Sequence, residues 1–176
     1  TAYQVVVELR LPRALAAFGT GAALALAGAL MQVLLRNPLA DPYILGTSGG
    51  AAAFTLTAML LGTTGFAVGA SALAGALAST LLVFALAHRG RWAPTRLLLT
   101  GVVVAAGWSA LVSLLLAITP ERNLRGALFW LMGDFAFAGN PTACLLIAAS
   151  GTAACFALGR SLNVLARTSG TFLEAD

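Results

Sequence analysis

Residues 14–50 read ALAAFGTGAALALAGALMQVLLRNPLADPYILGTSGG, and this stretch decides the fold class. Positions 14 to 35 carry no ionisable side chain. A helix needs about 20 residues to cross a hydrocarbon core of roughly 30 Å, so one crossing fits here. Charge then returns abruptly as Arg36 and Asp41, with Asn37, Pro38 and Pro42 among them, before a second apolar run opens on the small-residue cluster 46–50. Proline cannot continue a helix, and it turns the residue before it away from helical geometry. The polar island therefore reads as a tight turn between two apolar rods.

The same pattern continues outward. Positions 43–87, 97–119 and 135–159 are also free of Asp, Glu, Lys and Arg, and the 176-residue chain is 60% hydrophobic and 9% charged. Soluble domains carry about a quarter charged residues. Only helices and closed barrels satisfy their backbone groups in lipid, and the continuous Ala- and Leu-rich runs lack the alternating polarity of barrel strands. The expected fold is an all-α, polytopic transmembrane helical bundle forming one transmembrane domain over 1–176. Its helices are expected at 14–35, 46–62, 66–87, 96–118 and 141–158, with the turn Gly62, Thr63, Thr64, Gly65 dividing the longest run. Between Thr119 and Asn140 the apolar piece is too short to cross. It predicts an interfacial helix over 124–133, with Phe129 and Trp130 at headgroup level.

All ten basic residues are arginines. Alternating crossings put Arg36, Arg89, Arg91, Arg96, Arg160 and Arg167 on one side and Arg10, Arg13, Arg122 and Arg125 on the other. The richer set is the expected cytoplasmic one. The six acids, Glu8, Asp41, Glu121, Asp134, Glu174 and Asp176, all fall in connections, which argues against a proton relay or a carboxylate cation site inside a span. With one histidine and two cysteines, Cys144 and Cys155, set eleven residues apart on one predicted helix, no protein-built zinc or haem site, disulfide or cofactor is expected. There is no lysine and hence no phosphate-binding G-x-x-x-x-G-K-[ST] motif. Energy for any pumping must come from a partner.

Small residues recur at helical spacing: Ser71, Gly75 and Ser79, Gly65 and Gly69, Gly21 and Gly28. Membrane helices use such residues to approach closely; the alternative is that some line a wide pathway. The run Gly46, Thr47, Ser48, Gly49, Gly50 also matches G-x-S-x-G, and antiparallel packing would put Ser48 and His88 near one face. An intramembrane serine protease is thus one alternative, weakened because His88 adjoins Arg89 and Arg91 and is expected in water. A truncated helical assembly subunit without transport is another.

The block LRLPRALAAFGTGAALALAGALMQVLLRNPLADPYILGTSGGAAAF, followed in order by TRLLLTGVVVAAGWSAL, LRGALFWLMGDF and SLNVLA, resembles the permease family of bacterial ATP-binding-cassette importers for iron-siderophores, haem and cobalamin, the FecCD type. The likeness runs from Leu9 to Ala166 and covers what would be the second to sixth of about ten helices. It implies a piece of a longer, non-enzymatic permease in the bacterial cell membrane. That permease would pair with a second permease subunit, with two ATPase subunits inside and with a substrate-binding protein outside; nucleic acid is not an expected partner.

The resemblance also implies roles for residues. Arg10 and Arg13, flanking Pro12, would meet acids on the binding protein. Asn37 and Leu39, the surface made by Gly46, Ser48, Gly49 and Gly50, and Pro94 with Thr95 would form a cytoplasmic gate and translocation path. Leu162, Asn163 and Leu165 would begin the ATPase-coupling segment, after which RTSGTFLEAD departs from the family pattern. Asp134 stands where a small or hydroxyl residue is commoner in the family.

Overall fold

The structure, a computed structural model, describes residues 2–88, 93–135 and 140–159. Its regular elements are helical, and no strand occurs among the described residues. A helical turn Ala2–Gln4 and a π-helical segment Val5–Arg10 lead without a break into α1, Leu11–Leu35. After a 3-10 turn, Pro42–Leu45, come α2 (Thr47–Leu60), α3 (Phe66–Ala87), α4 (Pro94–Ile118), α5 (Glu121–Met132) and α6 (Thr142–Ala157).

Three rods are long and apolar enough to cross a membrane: Val5–Leu35, Phe66–Ala87 and Pro94–Ile118. The expected first span is thus longer at its start, because Pro12 is accommodated in the first turn of α1, where a missing N–H costs no bond. Two other expected spans are shorter than the sequence suggests. With 14 residues, α2 reaches only about 21 Å; α6, with 16, reaches about 24 Å.

The end of α2 has a local cause. Gly62 adopts a left-handed conformation at φ 82°, its N–H bonds Met59 O, and Thr63 N–H reaches back to Ala58 O, both at 3.0 Å. That is the Schellman ending, which glycine favours because it has no Cβ to clash. The last turn of α1 closes the same way around Arg36, at φ 49°, with Arg36 N–H on Val33 O at 3.3 Å and Asn37 N–H on Gln32 O at 3.2 Å. An arginine holds the left-handed position there. Ala93, before Pro94, is extended (φ −139°, ψ 127°), and Pro94 opens α4, as the steric rule for residues preceding proline requires.

The chain divides into two compact units, one formed by residues 1–41 with 134–176, the other by residues 42–133. In the first, α1 packs along α6: Gly19 lies under Cys144 and Leu145, and Gly151 lies beside Leu26. Both partners advance by seven residues together, so the two helices run parallel, as two crossings separated by an even number of reversals must.

In the second unit α2 and α4 run parallel. Ile44 meets Gly101, Gly46 meets Ala105, and Gly49 meets Trp108. Running antiparallel between them, α3 sets Gly75 against Gly50 and Ser79 against Gly46. Toward the other end, Ala53, Leu56, Leu115 and Ala127 make a buried cluster, with Leu60, Val112, Leu116 and Leu131 packed around it. Ala127 is how α5 joins this unit. Of its other large apolar residues, Leu128, Phe129 and Met132 are exposed and Leu124 and Trp130 half-buried, the pattern of a helix lying at an interface.

Candidate functional site

Of the residues expected at the gate, Asn37 and Leu39 lie in the first unit, in the turn after α1. Asn37 caps it through its side chain: Oδ1 accepts from Leu39 N–H at 2.9 Å, while Asn37 O accepts from Ala40 N–H at 3.0 Å. An amide at this position can thus replace the helix that Pro38 forbids. Ala40 is buried beneath the turn, whereas Leu39 projects with 86% of its surface exposed.

The start of α2, in the second unit, carries Gly46, Ser48, Gly49 and Gly50. Gly46 sits in the left-handed region (φ 64°), with its N–H on Tyr43 O at 2.8 Å. A Cβ there would stand 3.0 Å from Ser79 Oγ and 3.2 Å from Trp108 Cδ1, so both conformation and space demand glycine. One at Gly49 would come within 2.7 Å of Trp108 Cβ, and one at Gly50 within 2.5 Å of Gly75 O. Cβ atoms at Gly75 and Gly101 would collide with Gly50 O and Ile44 O respectively. The glycines of the 46–50 cluster are therefore spoken for by helix contact, and Ser48 is the member that faces outward.

At the heart of this contact is Ser79, which is fully buried. Its Oγ donates to Leu45 O at 2.8 Å and accepts from Trp108 Nε1–H at 2.9 Å. Trp108 also meets Phe54 edge to face, with ring centroids 6.2 Å apart at 73°, an arrangement aromatic rings favour. Pro94 and Thr95, also expected at the gate, lie exposed in the first turn of α4.

Sequence reading singled out Ser79 as a contact residue and Trp108 as part of a family block, but not their pairing. The available signal was an indole N–H in mid-span, which needs an acceptor once out of water. The paired stripe Ser71, Gly75, Ser79 divides in the structure: Gly75 and Ser79 are buried, while Ser71 Oγ turns back to Val68 O at 2.7 Å. Gly21, Gly65 and Gly69 face open space within the chain.

Arg10 and Arg13 are both exposed, Arg10 at the end of the π-helical segment and Arg13 in the first turn of α1. Leu162, Asn163 and Leu165 lie outside the described residues. Ser48 and His88 are each exposed, at the start of α2 and the end of α3. Neither occupies the secluded pocket that an activated nucleophile and its base require. Among the described residues no group of three His, Cys, Asp or Glu side chains could hold a metal ion.

Comparison with known proteins places the chain in a family. Residues 1–170 match the FecCD transport family. Over 133 residues the chain is 44% identical to the vitamin B12 import system permease protein BtuC of Salmonella paratyphi A, covering 74% of this chain and 40% of that one. The BtuC of Salmonella newport matches to the same extent. The chain thus spans well under half the length of these relatives. Among solved structures, it is similar to an ABC transporter assigned to the metal-chelate type, in an inward-facing conformation. The TM-score is 0.79 at 33% identity, covering 94% of this chain and 54% of that one. With several apolar helices able to cross a membrane, this is a multi-pass membrane protein, and the chain belongs to the FecCD transport family.

Proposed function

We propose that residues 1–176 form part of the transmembrane domain of an ATP-binding-cassette importer permease, which passes an iron-siderophore, haem or cobalamin delivered by a substrate-binding protein. The observation that carries this is the family match along nearly the whole chain, supported by relatives that import vitamin B12 and a structural neighbour of metal-chelate type. The permease performs no chemistry on its cargo. It resides in the bacterial inner membrane, pairs with a second permease subunit and is driven by two ATPase subunits on the cytoplasmic side.

Alternating access supplies the mechanism. Arg10 and Arg13, exposed near the start of the Val5–Leu35 rod, offer planar guanidinium groups that can grip carboxylates of the binding protein with two bonds each. Asn37 and Leu39 act as the inner gate with Ser48, Pro94 and Thr95, while Gly46, Gly49 and Gly50 form the compact seat behind Ser48. Leu162, Asn163 and Leu165 begin the segment that receives the ATPase stroke. ATP shifts the conformational equilibrium only through its different affinity for the two states, so docking outside and nucleotide inside must both bias the same helices.

Reconstitution of the full-length permease with its ATPase and binding protein in liposomes tests this. Labelled cobalamin, a ferric siderophore and haem would be offered in turn. Accumulation of one of them that requires both ATP and the binding protein is expected. ATP-independent leakage, or no accumulation of any of the three, overturns the proposal.

A further inference from the structure

Hydroxyls on these helices mostly return to their own backbone: Thr57 to Ala53 O, Thr80 to Ala76 O, Ser109 to Ala105 O and Ser113 to Ser109 O. Ser79 does something different. Its hydrogen goes to Leu45 O, thirty-four residues away, and its lone pair receives the Trp108 indole N–H. One buried oxygen therefore joins the 3-10 turn ahead of α2 to both α3 and α4.

The surroundings leave that turn no slack. Ile44 O rests against Gly101 of α4 so closely that a Cβ would collide with it, and Gly46 fits between Ser79 and Trp108 only as glycine. Pulling the turn away would strip Leu45 O and the Ser79 hydroxyl hydrogen of their shared bond at a site where Ser79 is fully buried, and unpaired polar groups out of water are costly.

We infer that Ser79 is the positioning residue of the inner gate, clasping the 42–50 segment to α3 and α4 so that it travels with them as one body when the permease changes state. This deepens the permease reading and rests on it. Opening at this mouth then comes from displacement of the whole three-helix body, not from a loop that swings on its own.

The test uses the full-length permease assembled with its ATPase and binding protein, carrying Cys144→Ser and Cys155→Ser. Spin labels go on Tyr43→Cys in the turn and Leu99→Cys on α4, sites that are 51% and 60% exposed. The label-to-label distance should form one population, unchanged between the nucleotide-free and ATP-trapped states. Ser79→Ala removes both bonds of the hydroxyl and should add a second population and slow uptake about tenfold, within the range expected for losing buried hydrogen bonds. Trp108→Phe keeps a ring but lacks the donor, and should show the same change more weakly; it also serves if Ser79→Ala fails to assemble. A transporting parent whose distance changes with nucleotide overturns the inference, as does Ser79→Ala or Trp108→Phe with parental distances and uptake. A parent without ATP-dependent uptake instead overturns the permease reading beneath it.

Discussion

Between α2, α3 and α4, glycine faces glycine: Gly50 and Gly75 bring backbone against backbone, Gly101 receives Ile44 O, and Ser79 ties the layer together with hydrogen bonds. The α1–α6 pair is built otherwise. There Gly19 lies under the Cys144 backbone, and the contact at Gly151 is an ordinary one, 3.5 Å from a Leu26 methyl. The difference teaches how apolar helices acquire a fixed geometry. Lipid is as apolar as leucine, so burial alone does not choose a register; interlocked backbones and a buried polar bridge do. The 42–133 unit has both devices, whereas α1 and α6 rely on close approach at Gly19.

The contrast breaks most severely if Gly75→Leu is tolerated. That side chain must enter the Gly50 backbone, and overpacking of this kind costs about 3 kcal/mol or more. Loss of monodisperse protein on fluorescence-detected size exclusion is expected; a parental profile would show that the α2–α3 contact is looser than described. Gly19→Ala probes the α1–α6 pair in the same way but more mildly. Its Cβ would stand 2.9 Å from the Cys144 carbonyl carbon, so about 1 kcal/mol should be lost, read as a few degrees in melting temperature.

Two further substitutions should stabilise. Arg36→Gly relieves a left-handed arginine at φ 49° and should gain about 1 kcal/mol; a lower melting temperature would mean that the arginine side chain does more than end the helix. Gly21→Ala meets nothing within 4 Å, so only helix propensity is at stake, with a gain of roughly 0.5–1 kcal/mol. A loss there would reveal a contact that the chain itself does not supply, as in a larger assembly.

Much of the fold was legible because membrane helices announce themselves. Uncharged runs set the rods, and Pro12, Pro94 and the 36–42 island set their ends, since a missing N–H or a steric clash acts locally. Length was less legible. The apolar run continues past Leu60, but the left-handed Gly62 closes α2 early, and hydropathy does not register backbone conformation. In the candidate site, the prolines marked the turn, but Asn37 and Leu39 were singled out within it only through the family resemblance. The close packing at Gly46, Gly49 and Gly50, and the bridge from Leu45 to Ser79 to Trp108, depend on which faces of three helices meet. That information lies in pairs of residues tens of positions apart, and spacing along one helix does not contain it.

The central claim is that the α1–α2 turn forms the cytoplasmic mouth of a permease, and the exposed side chain at its tip gives the most direct measurement. In the full-length permease with Cys144→Ser and Cys155→Ser, Leu39→Cys would be treated with a membrane-impermeant maleimide in spheroplasts and in inside-out vesicles. Labelling confined to the inside-out vesicles is the predicted result. Labelling from the outer face of intact spheroplasts would contradict the account.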